Sequence, residues 1–208
     1  MSPNNPDPYY NRPEVSNSDL TSLMYEISGH QLPDMTDVFA FGNLVDAMIT
    51  EPDRIDWYRK LMDNQPVKEW DKAMKMYRSF MSDDSCKNII KRSETQKVSI
   101  ANRSFNYEGL EFNLDCRCKW DFFGHISGDI KTTAATNQKQ FETACNYFDY
   151  PRSRAWYMDI EGRDKDLIIG ISKVNYKIFF LPIVRDSELY LKGKQEYTEL
   201  AFRWWMLK

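Results

Sequence analysis

The sequence predicts an α/β (α+β) fold in which a central mixed β-sheet is flanked by helices. Three observations carry this. Apolar residues recur at helical spacing up to about Ile90, the period changes to two between Lys97 and Phe123, and the remainder alternates a helix pair, two apolar strands and a closing helix. At 208 residues the chain fits one domain with a substantial core. Its 42% hydrophobic and 14% aromatic content excludes wholesale disorder.

Residues 1–14 hold four prolines and no apolar periodicity, which predicts a disordered tail and leaves 15–208 as the single domain. Val15 to Ser28 reads as a helix, with Ser16 or Ser18 as N-cap and Leu20, Leu23, Met24 and Ile27 on one face. Pro33 breaks it. The next helix carries Phe41, Leu44, Val45, Met48 and Ile49 as its apolar stripe, with Asn43 and Asp46 off the stripe, and stops at Pro52. From Asp56 to Ile90 the pattern stays helical around Trp57, Leu61, Trp70, Met74, Tyr77 and Met81, interrupted at Pro66.

Strands follow at Lys97–Ala101 and Arg103–Tyr107, then a Glu108-Gly109 turn and a long strand over Leu110–Phe123. In that strand Phe112, Leu114, Cys116, Cys118 and Trp120 share one face, and Arg117, Lys119 and Asp121 share the other. A tight turn leads to a short strand, GDIKTT, which places Asp129 and Lys131 on a common face and Ile130 toward the core. Gln138 to Phe148 is helical, and Pro151 suits the first turn of a second helix reaching about Ile160. The runs LIIGISKV and YKIFFLPIV read as buried strands, and Asp186-Ser187 caps a helix from Glu188 to about Trp205.

The formal charge of −3 does not mark a basic nucleic-acid binder, but screening beyond about 8 Å makes local charge matter more than the total. No apolar run is long enough to span a bilayer, and the start lacks a basic-then-apolar secretion pattern, so a cytoplasmic protein without membrane contact is expected. The four cysteines show no CxxC spacing, so reduced thiols are expected, with no iron-sulfur cluster.

Asp121 at the end of one strand and Asp129-Ile130-Lys131 in the next are the residues from which this chain builds a metal site. Mg²⁺ takes hard oxygen ligands, so the carboxylates of Asp121 and Asp129 and the carbonyl of Ile130 form a cradle, with Lys131 beside it to orient water or hold charge on a phosphate. Mn²⁺ would fit the same donors. A surface ion-pair cluster explains the same triplet. Lys119, on the face of Asp121, is a candidate for touching a phosphate backbone. His30 and His125 read as exposed loop residues, and Lys139, Lys173 and Lys177 as solvated lysines. Trp204 and Trp205 read as core or stacking groups.

Five segments in order resemble the PD-(D/E)XK nuclease superfamily, and within it the phage and prophage exonucleases of the RecE (exonuclease VIII) type. They are VSNSDLTSLM, FGNLVDAMITEPD, CRCKWD, GDIKTT and FETACNYFDYPRSRAWYMD. The resemblance implies a restriction-endonuclease-like core and magnesium-dependent degradation of linear duplex DNA from an end, serving phage-type recombination or repair in a bacterial or phage-infected cell. It assigns Asp121 and Asp129 as metal ligands and Lys131 as the catalytic lysine. Asp46 stands where the family usually has a metal-binding His, and is assigned as a further ligand. Ser153 stands where it usually has Gln; Arg152 and Arg154 are expected to grip a phosphate in its place, with Tyr157 beside the site. Implied partners are DNA, further copies of the chain in a ring, and a single-strand annealing protein. The alternatives are a non-catalytic DNA-binding or assembly protein that keeps the fold, and a structure-specific endonuclease.

Overall fold

A computed structural model describes residues 7–30, 36–61 and 67–207. Its helices are α1 (Asn17–Ser28), α2 (Thr36–Thr50), α3 (Ile55–Leu61), α4 (Val67–Ser82), α5 (Asp84–Lys91), α6 (Gln138–Tyr147), α7 (Tyr150–Glu161) and α8 (Glu188–Leu207). Its strands are β1 (Glu94–Tyr107), β2 (Leu110–Phe123), β3 (Gly128–Thr133), β4 (Lys165–Ser172) and β5 (Ile178–Val184). They form one mixed sheet in the order β1-β2-β3-β4-β5, parallel only between β3 and β4.

Each face of the sheet carries a helical layer and its own core. Helices α1, α6, α7 and α8 cover Cys116, Cys118, Trp120, Ile168 and Leu181. Helices α2, α4 and α5 cover Phe122, Ile130, Ile169 and Ile171. The expected stripe of α2 is buried in full, but in α4 the fully buried residues are Ala73, Met76 and Phe80, with Trp70, Met74, Tyr77 and Met81 flanking them. The expected breaks at Pro33 and Pro66 lie outside the described residues. Where two strands were expected before the turn, β1 runs unbroken, because its register with β2 is constant throughout. Ser16 and Asp19 form a capping box that starts α1. Trp204 packs against the core, and the ring of Trp205 lies 5.2 Å from that of Phe112.

Strands β2 and β3 pair only at Phe122 and Gly128, then diverge into a fork. Gly128 closes the fork because a Cβ there would lie 1.9 Å from the Leu167 carbonyl oxygen and 2.6 Å from the Phe122 ring. Farther along, the open edge of β2 is taken by the N-terminal segment: Val15 donates its N–H to the carbonyl of Asp115 and accepts from the N–H of Arg117, each at 2.8 Å. The disordered tail expected through Glu14 is thus corrected over residues 7–14. The Arg117 guanidinium, buried in the protein, holds the carbonyls of Arg12 and Glu14, and Tyr9 is buried beside it. Asp7 accepts from Lys119 Nζ at 2.5 Å and Arg54 Nη1 at 3.1 Å. Paired charges, rather than apolar periodicity, dock this segment.

Candidate active site

The fork brings together side chains from three elements. Asp121 ends the polar face of β2, Asp129 and Lys131 come from β3, and Asp46 enters from α2, whose Gly42 passes close to Thr132. An Oδ2 of Asp121 accepts the N–H of Ile130 at 2.7 Å, replacing the ladder bond that the diverging strands no longer make. The carbonyl of a strand residue points to the same edge as its N–H, so the Ile130 carbonyl also faces the fork. Asp129 is buried, receives Arg154 Nη1 on Oδ1 at 3.1 Å, and contacts Lys131 Nζ through Oδ2.

These acids are not balanced. Burial pushes the Asp46 carboxyl up to about 6, and the charge of Asp129 adds to the push, although Lys131 opposes it. Asp121 is raised well above the ordinary range, first by burial and then by repulsion from Asp46 and Asp129. Lys131 is raised despite its burial, because Asp129 and Asp121 stabilise the ammonium; it is a cation at neutral pH. Among the described residues no three His, Cys, Asp or Glu side chains already converge on one point as a metal cage. The donor chemistry nevertheless fits a hard divalent cation: the oxygens are carboxylate and carbonyl, and the charge excess favours an added cation. Asp46, Asp121, Asp129 and the Ile130 carbonyl would hold it.

Sequence reasoning missed Gln96. It lies opposite Asp121 in the β1–β2 register, yet the ladder skips that pair, and its φ of 57° is left-handed near the start of β1. Its Nε2 donates to Asp46 Oδ2 at 3.1 Å and to Thr50 Oγ1 at 2.7 Å, while Thr50 Oγ1 donates to Asp46 Oδ1 at 3.2 Å. Both oxygens of Asp46 are thereby oriented. A glycine or asparagine at this position would have been a sequence signal for such backbone; glutamine is none.

The residues expected to bind DNA are placed differently. Arg154 is 1% exposed: Nε and Nη2 fork onto Asp166 at 3.0–3.1 Å, Nη1 reaches Asp129, and the guanidinium stacks 4.0 Å from the Tyr157 ring centroid. It positions Asp129 from behind and is closed to a phosphate. Arg152 is 4% exposed and bonds Thr21 Oγ1 at 2.7 Å and Asn17 Oδ1 at 3.2 Å, joining α7 to α1. Lys119 is held by Asp7, with Glu51 at 3.7 Å. Tyr157 packs between Arg154 and the edge of Trp120. Arg154 and Lys119 have buried or half-buried carboxylate partners, and Arg152 a hydroxyl and a side-chain amide oxygen on α1, none of which a linear reading reveals. Ser153 donates to the Tyr150 carbonyl at 2.9 Å. His30, His125, Lys139 and Lys177 are exposed, and Lys173 lies 5.6 Å from the Phe41 ring centroid.

The model of a family described as a PDDEXK-like domain of unknown function (DUF3799) matches residues 21–176, which include all the acids of the fork. Comparison with curated proteins gives no match. Among solved structures, the crystal structure of SSO0001 is similar over 88% of this chain and 84% of that one, at 12% identity and a TM-score of 0.38. Among the described residues no helix is long and apolar enough to cross a membrane.

Proposed function

We propose, from the premise that this chain belongs to the DUF3799 family of PDDEXK-like domains, that it is a magnesium-dependent DNA nuclease hydrolysing phosphodiester bonds. The observation that carries the reading is that Asp46, Asp121, Asp129 and Lys131, from three elements, lie close enough around one fork to shift one another's protonation, with more carboxylate than cation among them. A divalent ion bound there would supply Lewis acidity toward the scissile phosphate and the attacking water. Asp121 and Asp129 hold and orient its ligand oxygens, and Arg154 fixes Asp129. Lys131, held as an ammonium by Asp129 and Asp121, donates to a phosphate oxygen and offsets charge in the transition state.

The subtype supported by the resemblance of the five segments is an exonuclease acting on linear duplex DNA from an end, in recombination or repair. With Lys119, Arg152 and Arg154 engaged inside the protein, Lys72 and Lys173, which flank the Phe41 ring on α2, become the candidates for contacting the phosphate backbone. The test is incubation of linear and closed circular duplexes with Mg²⁺ or EDTA, for the wild type and Asp129→Asn. Magnesium-dependent loss of the linear form alone is expected. Nicking of circles would indicate an endonuclease, and no magnesium-dependent loss of either would overturn the reading.

A further inference from the structure

The junction of α6 and α7 carries exposed aromatic side chains that lead toward the fork. Tyr147 is 79% exposed and Phe148 53%, adjacent residues with ring centroids 5.0 Å apart. Phe148 in turn stacks on Tyr150 at 5.8 Å and 24°, and the Tyr150 ring lies 5.4 Å from Lys131 Nζ. The three rings therefore run as one series from solvent to the catalytic lysine. The residue between them, Asp149, has a left-handed φ of 54° and makes no side-chain cap bond for α7. That left-handed residue separates Phe148 and Tyr150, whose rings stack at 24°. Large aromatics left in water beside a phosphate-cleaving site have one chemically matched occupant, the face of an unpaired base, whose own phosphate then lies toward Lys131. Interior base pairs of a duplex offer no free face, and a purely phosphate contact would call for lysine or arginine there.

We propose that Tyr147, Phe148 and Tyr150 form a base-stacking platform that receives unpaired nucleotides of the strand entering the fork, so that the substrate is engaged as a frayed or single-stranded end. The inference rests on the reading of the fork as a nuclease site. It is tested by fluorescence anisotropy in EDTA, where no cleavage occurs, with the full chain and two probes of equal length: a mixed-sequence single-stranded oligonucleotide and its abasic counterpart. Tyr147→Ala and Phe148→Ala change exposed side chains, and melting temperatures confirm that the fold is kept. The double variant is expected to bind the base-bearing probe about 10- to 100-fold more weakly and the abasic probe nearly as the wild type does. Equal binding of both probes by the wild type, or unchanged binding by the double variant, would overturn the proposal. So would a wild-type dimer that the double variant converts to monomer without loss of DNA binding, since a second copy would then be the occupant. If cleavage is absent from every substrate while base-dependent binding is lost in the double variant, the platform is supported and the nuclease reading alone falls.

Discussion

Two buried carboxylate centres touch helix α7, and they are built on opposite terms. At Asp159 burial raises the carboxyl, but hydrogen bonds from Tyr190, Tyr197 and Arg185 outweigh it and hold the group below the ordinary carboxylate range. Arg185 Nη1 lies at 2.7 Å and Tyr190 Oη at 2.6 Å, so α7, α8 and the end of β5 are joined there. In the fork, Asp46, Asp121, Asp129 and Asp166 face Lys131 and Arg154, and the carboxyls of Asp46, Asp121 and Asp166 are all raised. A carboxylate satisfied from within is a structural joint. A cluster left short of positive charge is an arrangement that a cation from solution would relieve.

The comparison breaks most visibly in activity. Lys131→Met is expected to lower kcat by about 100- to 1,000-fold in a nuclease assay and, because Asp129 and Asp121 lose their ammonium partner, also to lower the melting temperature of the metal-free protein. Asp159→Asn should leave the chemistry intact but destabilise the fold by about 3 kcal/mol, read as a melting temperature lower by about 6–12 °C. If the two variants gave the same pattern, the distinction between the centres would be lost.

The acids of the fork should behave in the reverse sense to Asp159. For Asp46 the unfolded carboxyl titrates near 3.8 and the folded one near 6, so the native state holds more protons between those values. Stability of the metal-free protein therefore falls as pH rises through that window and is level above it. Asp46→Asn removes the penalty and is expected to stabilise the protein in EDTA at pH 7 by about 1–3 kcal/mol, with no gain below pH 4. Denaturant melts at both pH values check this. A loss of stability at pH 7 would mean that Asp46 is compensated as Asp159 is.

The smallest effect on stability sharpens the role of Gln96. Gln96→Gly relieves the left-handed backbone and is expected to raise the melting temperature of the metal-free protein by about 2–4 °C. The same change frees Asp46, and Mn²⁺ affinity measured by calorimetry should drop by about 10- to 100-fold.

Much of the fork was legible in the sequence because strand pleat is a reliable geometry: alternation alone put Asp121 on the polar face and Asp129 with Lys131. Asp46 was legible only through the resemblance of its helix, since a polar residue off an apolar stripe has no partner in a linear reading. Arg154 was misread because its partner Asp166 opens a strand that reads as wholly apolar, and nothing local distinguishes a buried guanidinium from a solvated one. The N-terminal segment was misread for a related reason. Its prolines leave no apolar period to read, but a single 3-10 turn over Pro8–Asn11 and the charges of Asp7, Arg54, Lys119 and Arg117 dock it. What sequence pattern reports is periodic burial; what it omits is pairing between buried charges and strain at single residues such as Gln96 and Asp149.

The central claim is that the fork is a cation site and the Asp159 centre is not. Calorimetric titration of the metal-free protein with Mn²⁺ at pH 7.5 tests it directly, comparing the wild type with Asp121→Asn and Asp159→Asn. Binding by the wild type and Asp159→Asn, with loss in Asp121→Asn, is the predicted result. Equal binding by all three, or none by the wild type, would contradict it.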